Sequence, residues 1–276
     1  MSAIAIPRAG ASRGSWFALR AVANETAKGL ALLRRRKATL VMATATGGVM
    51  YLMIQFFIGG GHVNHTVLAV TLPALAAGYG FASTAALAGA GGIAEEVNGG
   101  TLEQSHLSPA RPSLLVLGRL AALAVEGLVP AVVLAAVFWA AYGIHYTVRP
   151  DALVPLVLTV ADALAYALVM TALVLRVASI GAIVHVFNMA IMFFGGMFVP
   201  VTVFPHGVEI FARLVPTTLG IEVLNTTLAG RGLGAAWDNA TLPWLIAHVV
   251  VLSALGWGTY LATLRRARRE GGLNPR

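Results

Sequence analysis

Six stretches of this chain are each long and apolar enough to cross a lipid bilayer, which narrows its possible folds to a few. The run "ATLVMATATGGVMYLMIQFFI" fills residues 38–58, and others fill about 66–90, 115–141, 152–174, 177–198 and 242–263. A helix rising 1.5 Å per residue needs about 20 mostly apolar residues to cross the hydrocarbon layer. The chain is 58% hydrophobic and 11% charged, against about 25% charged in an ordinary soluble domain. An all-α, polytopic membrane protein with six transmembrane helices is expected. With no cysteine, the chain has no disulfide, thiolate metal site or cysteine nucleophile.

The net charge of +8 is distributed as a membrane protein would distribute it. Basic residues sit beside apolar runs, as in "LLRRRKATL" (Leu32–Leu40) and "LRRARRE" (Leu264–Glu270). They do not interleave with aromatics as a base-stacking surface requires, so no nucleic-acid partner is expected. Placing the N-terminus inside leaves 16 of the 19 Lys and Arg residues on the cytoplasmic side. Setting aside Arg8 and Arg13, which lie far from any span, the balance is 14 against Arg149, Arg213 and Arg231. The positive-inside rule then puts both termini in the cytoplasm of a multi-pass protein in the cell membrane.

Residues 1–15 contain Pro7, Gly10 and Gly14 and no apolar core of a signal peptide, so a disordered cytoplasmic tail is expected. In 16–37, Trp16, Leu19, Ala23, Ala27, Leu30 and Leu33 recur at helical spacing, with Arg20, Glu25 and Lys28 among the polar positions. This pattern suits an amphipathic helix at the inner membrane surface, the simpler alternative being a basic anchor. Residues 38–263 form the six-span domain and 264–276 a basic cytoplasmic tail. The region 199–230 is moderately apolar but cut by Pro200, Pro205 and Pro216. Proline removes a helical hydrogen bond, so two short re-entrant helices are expected there, or else a long external loop.

The cytoplasmic loop 91–112, "GGIAEEVNGGTLEQSHLSPARP", concentrates the chain's chemistry. Gly99 and Gly100 interrupt any helix leaving span two, Thr101 and Gln104 can form a capping box, and Pro109 and Pro112 bound the far end. An intramembrane enzyme using Glu95, Glu96 and His106 is one reading. Consecutive helical side chains point about 100° apart, so the two glutamates do not simply converge on a metal. Paired-glutamate membrane proteases place an arginine four residues after the second glutamate, where this chain has Gly100. Ser83 lacks the following glycine of a rhomboid-like turn, and His185 and His248 have no acidic neighbour at helical spacing. A phosphate-binding loop requires a Gly-Lys pair, and none occurs.

Four features in order carry a resemblance. After Glu95 or Glu96 come Gly100-Thr101-Leu102-Glu103, then Ser108-Pro109 with Arg111, then Gly118-Arg119-Leu120 opening span three. "GGMFVPVTVFP" and "VPTTLGIEVL" follow span five. Over about residues 16–264 the chain resembles the membrane subunits of type-2 ATP-binding-cassette exporters. The resemblance implies a permease that pairs with a second copy or a paralogue and works with two ABC ATPase subunits. It also implies that the loop is a coupling helix seated on the ATPase, contributed by Glu95, Glu96, Thr101, Leu102, Glu103, Gln104, His106, Leu107, Ser108 and Pro109. No cofactor is expected on this chain; ATP and Mg would be held by the partner. An ATP-independent carrier is the remaining transport alternative.

Charges inside a span cost roughly 2.5–3.5 kcal/mol on insertion scales, which singles out Glu126 and Asp162 as either substrate contacts or bundle-internal groups. In the resembling family spans one, two and five line the cavity. Met50, Met53, Phe56, Phe187, Met192 and Phe193 would then offer an apolar path suited to a hydrophobic or amphipathic solute, the alternative being that they face lipid.

Overall fold

The computed structural model describes residues 15–62, 64–98, 112–146, 149–174, 180–196 and 200–270, and among these all regular structure is helical. Helix α1 (Ser15–Arg35) runs almost directly into α2 (Lys37–Ile58). The second apolar run forms α3 (His65–Leu75), a π-helical turn (Ala76–Gly80) and α4 (Phe81–Asn98). Then come α5 (Pro112–Tyr142), α6 (Leu153–Val174) and α7 (Ile180–Phe194). Three short helices follow, α8 (His206–Leu214), α9 (Thr218–Thr226) and α10 (Gly232–Asp238), before α11 (Thr241–Glu270) closes the chain.

Five of these segments are long and apolar enough to cross a membrane: Leu40–Phe57, His65–Gly92, Ser113–Tyr142, Pro150–Val174 and Thr241–Thr263. The fifth expected span, 177–198, is described as the 15-residue α7, about 22 Å long at helical rise. By itself that is shorter than the hydrocarbon layer. Helix α11 continues beyond its apolar run to Glu270, because Arg265 and Arg266 suit a helix as well as Leu does.

The bundle is organised around α6. Twelve of its residues are buried, among them Ala163, Ala165, Ala167 and Ala172, and such small side chains let α4 and α11 approach closely. The main core joins Phe81, Ala85 and Ala86 of α4 to Leu123 of α5, to Tyr166 and Met170 of α6, and to Tyr260 of α11. A second cluster of Tyr51, Leu68, Leu72, Phe138 and Ile144 ties α2 and α3 to the far end of α5, where Tyr51 also hydrogen-bonds Thr71.

Proline and glycine explain the break in the second run. Pro73 removes a backbone donor within α3, and the ladder widens into the π turn one residue after that helix ends. Gly78 in this turn leaves room for Ile221 of α9, whose Cγ1 and Cδ1 would both clash with an added Cβ, Cδ1 at 2.6 Å. The other face of α9 is equally tight. At Gly220 an added Cβ would stand 2.7 Å from Thr159 Cγ2 and 2.8 Å from its Cβ, on the central helix. Thr159 is fully buried and already donates to the Pro155 carbonyl at 2.6 Å, so it cannot swing aside freely. Gly220→Ala is therefore expected to destabilise the protein by about 1–3 kcal/mol through overpacking. Thermal unfolding in detergent checks this; an unchanged transition would show that α9 is free to shift.

Candidate functional site

At one end of the bundle α1 lies across the start of α5. Gly118 makes the contact possible: an added Cβ would sit 2.6 Å from Glu25 Cβ and 2.8 Å from the Val22 carbonyl oxygen. Thr26 donates its hydroxyl to the Val22 carbonyl at 2.9 Å and approaches the Gly118 carbonyl at 3.1 Å. Glu25 pairs with Arg119 at 3.7 Å and with Lys28 at 3.6 Å. The triplet Gly118-Arg119-Leu120 thus has a division of labour: the glycine admits α1, the arginine meets its carboxylate, and Leu120 packs against the main core.

Beneath this contact is a cleft of about 60 Å³ lined by Lys28 and Leu33 of α1, Arg36 between α1 and α2, Gly89 and Gly92 of α4, and Arg119 and Glu126 of α5. Glu126 therefore faces the α1–α5 junction, where Arg36 acts on it electrostatically. It stands seven residues beyond Arg119, about 10 Å deeper along the helix. Glu95 and Glu96 lie on the last turns of α4, with side chains outside the described residues. Thr101, Leu102, Glu103, Gln104, His106, Leu107, Ser108 and Pro109 are outside them as well. The helices flanking that segment are on view: α4 ends at Asn98 and α5 begins at Pro112, the proline sitting at a first helical position where no amide donor is needed.

At the opposite end the structure joins residues that the sequence leaves far apart. Asp162, 1% exposed on α6, accepts the Thr217 backbone N–H at 2.7 Å through Oδ2. Its Oδ1 lies 2.8 Å from His248 Nδ1 on α11, and His248 Nε2 lies 3.2 Å from the Leu214 carbonyl oxygen. Both short helices are served at once. The carboxylate takes the place of a cap at the start of α9, and the imidazole meets an end carbonyl of α8, the kinds of groups that helix termini leave unpaired. Thr217 has φ 69° and ψ −11°, a left-handed conformation that costs a non-glycine residue roughly 1–2 kcal/mol. The hydrogen bond to Asp162 helps to hold it there.

Asp162 faces the bundle interior, and the histidine is its partner 86 positions away. Sequence spacing could not reveal that pair; an apolar helix carrying one carboxylate and another carrying one histidine is the only signal the chain offers. Of the other path candidates, Met53 and Phe56 on α2 and Phe187 and Phe193 on α7 are exposed. Met50 is half-buried, and Met192 packs against the cluster around Tyr51.

A family model described as ABC-2 type transporter matches residues 24–228. No curated protein and no solved structure matches the chain. The matched stretch takes in the α1–α5 contact, the loop between α4 and α5, the central helix and both short helices at the far end. It covers well over half of the sequence, and the chain belongs to the ABC-2 type transporter family.

Proposed function

We propose that this chain is the permease subunit of an ABC exporter, moving a hydrophobic or amphipathic solute outward while separate ATPase subunits hydrolyse ATP. The family match over 24–228 carries this reading, since a domain of that family works with an ABC ATPase. Two ATPase subunits and a second permease, a copy or a paralogue, complete the complex. Mg and ATP reside on the partner, consistent with a sequence that has no Gly-Lys pair.

Both termini are cytoplasmic by the Lys and Arg balance, so the segment from Thr101 to Pro109 faces the ATPase. It feeds into α5 at Pro112, six residues before Gly118. A push on that segment reaches α5 and the docked α1 together. Coupling then runs through the α1–α5 contact: α1 and the first turns of α5 move as one body. At the far end, Asp162 lies nine residues into α6 and His248 seven into α11, roughly 13 and 10 Å below the starts of those helices. The turn they hold is thereby drawn down into the bundle, which supports α8 and α9 as a re-entrant pair. Backbone at such depth needs protein or water around it, and Asp162 supplies part of that cover.

Co-expression with a cognate ATPase is expected to give a stable complex. Replacing Leu102 and Glu103 together by alanine is expected to uncouple ATP hydrolysis from transport. Comparing both rates in reconstituted vesicles checks this; a double variant that binds the ATPase and transports normally would remove the segment from the coupling role.

A further inference from the structure

The clamp on the α8–α9 turn sets a single imidazole between two oxygens. A neutral imidazole has one N–H, yet His248 presents both ring nitrogens to oxygen acceptors, Asp162 Oδ1 at 2.8 Å and the Leu214 carbonyl at 3.2 Å. Satisfying both contacts requires either an imidazolium beside a carboxylate or a neutral imidazole beside a protonated Asp162. The two arrangements contain the same number of protons, one more than neutral histidine with ionised aspartate. Loss of that proton leaves a lone pair facing an oxygen at one of the two contacts.

A polar path leads from the clamp to the surface. His206 lies 3.9 Å from Glu209, Glu209 lies 3.0 Å from Arg213, and Arg213 lies 3.1 Å from Glu222. Thr218, Glu222 and Asn225 follow one another at i, i+4 and i+7, on one face of α9. Five buried polar atoms in this region have no hydrogen-bond partner among the described residues: Arg213 Nε, Thr217 Oγ1, Thr218 Oγ1, Glu222 Oε2 and Asn225 Oδ1. Both threonines are 0% exposed. Buried groups left in this way are ordinarily satisfied by ordered water, and these five lie on the side of the clamp that leads towards His206.

We propose that Asp162 and His248 form a proton-binding site, reached through the hydrated polar face of α8 and α9, whose occupancy fixes the turn between those helices. The titratable and charged groups on the surrounding elements are His206, Glu209 and Arg213 on α8, Glu222 on α9, Asp238 on α10, Tyr166 on α6 with Asp151 just before that helix, His65 at the outset of α3 and His185 on α7. Farther along the bundle stand Tyr260 and the basic end of α11, Glu95 and Glu96 on α4, and Arg119 and Glu126 on α5. Of these only the α8 and α9 groups belong to the connected ion-pair run, so proton exchange is assigned to that side. The inference does not depend on an ATPase partner or on the transported solute.

The test uses the full chain with a nitroxide on Val208→Cys, a position on α8 in a protein with no native cysteine. Its mobility is read against pH in vesicles. One transition between two plateaus is expected in this background, with loss of the transition when His248→Gln is added. Asp162→Asn serves as a second variant should the glutamine fail to fold, and it is expected to move the midpoint by about one pH unit or more. A flat profile, a transition that survives His248→Gln, or a midpoint unmoved by Asp162→Asn overturns the site. In vesicles the transition should follow the pH of the compartment from which an impermeant paramagnetic agent relaxes the same label. Following the opposite compartment overturns the route.

Discussion

Asp162→Ala is expected to lower stability by about 3–5 kcal/mol at a pH where His248 is protonated, the range for removing one partner of a buried ion pair. Three consequences coincide at this position. His248 loses the oxygen at 2.8 Å, the Thr217 amide loses its acceptor at 2.7 Å, and a left-handed threonine loses what holds it. An unsatisfied buried donor alone costs about 1–3 kcal/mol. Asp162→Asn keeps an oxygen for Thr217 while removing the charge, so a smaller loss of about 1–2 kcal/mol is expected. By contrast Lys28→Ala, which removes a pair at 3.6 Å with the lysine 42% exposed, should cost at most about 1 kcal/mol. Denaturant unfolding in detergent would rank the three variants, and limited proteolysis would show whether the 214–217 turn opens first. An alanine variant as stable as the parent would mean that α8 and α9 are held by packing alone.

The helices were legible in the sequence because each had to satisfy its own backbone in hydrocarbon. The run expected over 152–174 is α6 at Leu153–Val174, and the run expected over 115–141 is α5 at Pro112–Tyr142. The turns near α8 were legible through Pro205, which precedes that helix, and Pro216, which lies between it and α9. Contacts that cross the bundle were hidden. Asp162 reads as an isolated charge because its two partners arrive from residues 217 and 248, and no periodicity links positions that far apart. The π turn is not legible in the sequence for a related reason. Pro73 announces a disturbance, but the widening of the ladder at Ala76–Gly80 goes with how Ile221 packs against Gly78. The family, by comparison, was legible from local motifs, since Gly100-Thr101-Leu102-Glu103, Ser108-Pro109 and Gly118-Arg119-Leu120 follow one another within a short stretch of chain.

Gly118→Val is expected to displace α1 and uncouple the permease, whereas Arg119→Ala should leave the docking largely intact. The two residues touch the same helix through forces of different size. The Glu25–Arg119 pair is partly buried, with side chains 17% and 21% exposed, but its 3.7 Å separation is too long for a hydrogen bond, so a contribution of about 1 kcal/mol is expected. A side chain at Gly118 instead meets Glu25 Cβ and a backbone oxygen of Val22 below 3 Å. Neither atom is the tip of a flexible group, so relief requires α1 to move as a body. Overpacking typically costs about 1–3 kcal/mol, and here the cost can be avoided only by giving up the contact. Protease sensitivity of residues 20–30 should rise sharply in Gly118→Val and little in Arg119→Ala. In the reconstituted complex the valine variant should retain ATP hydrolysis while transport falls, because the loop would then move α5 without carrying α1. If the valine variant keeps α1 as protected as the parent does, close approach at Gly118 does not hold the helix. The weaker ion pair and the Thr26 contact with the Gly118 carbonyl would then have to account for the docking, and Arg119→Ala would become the damaging change.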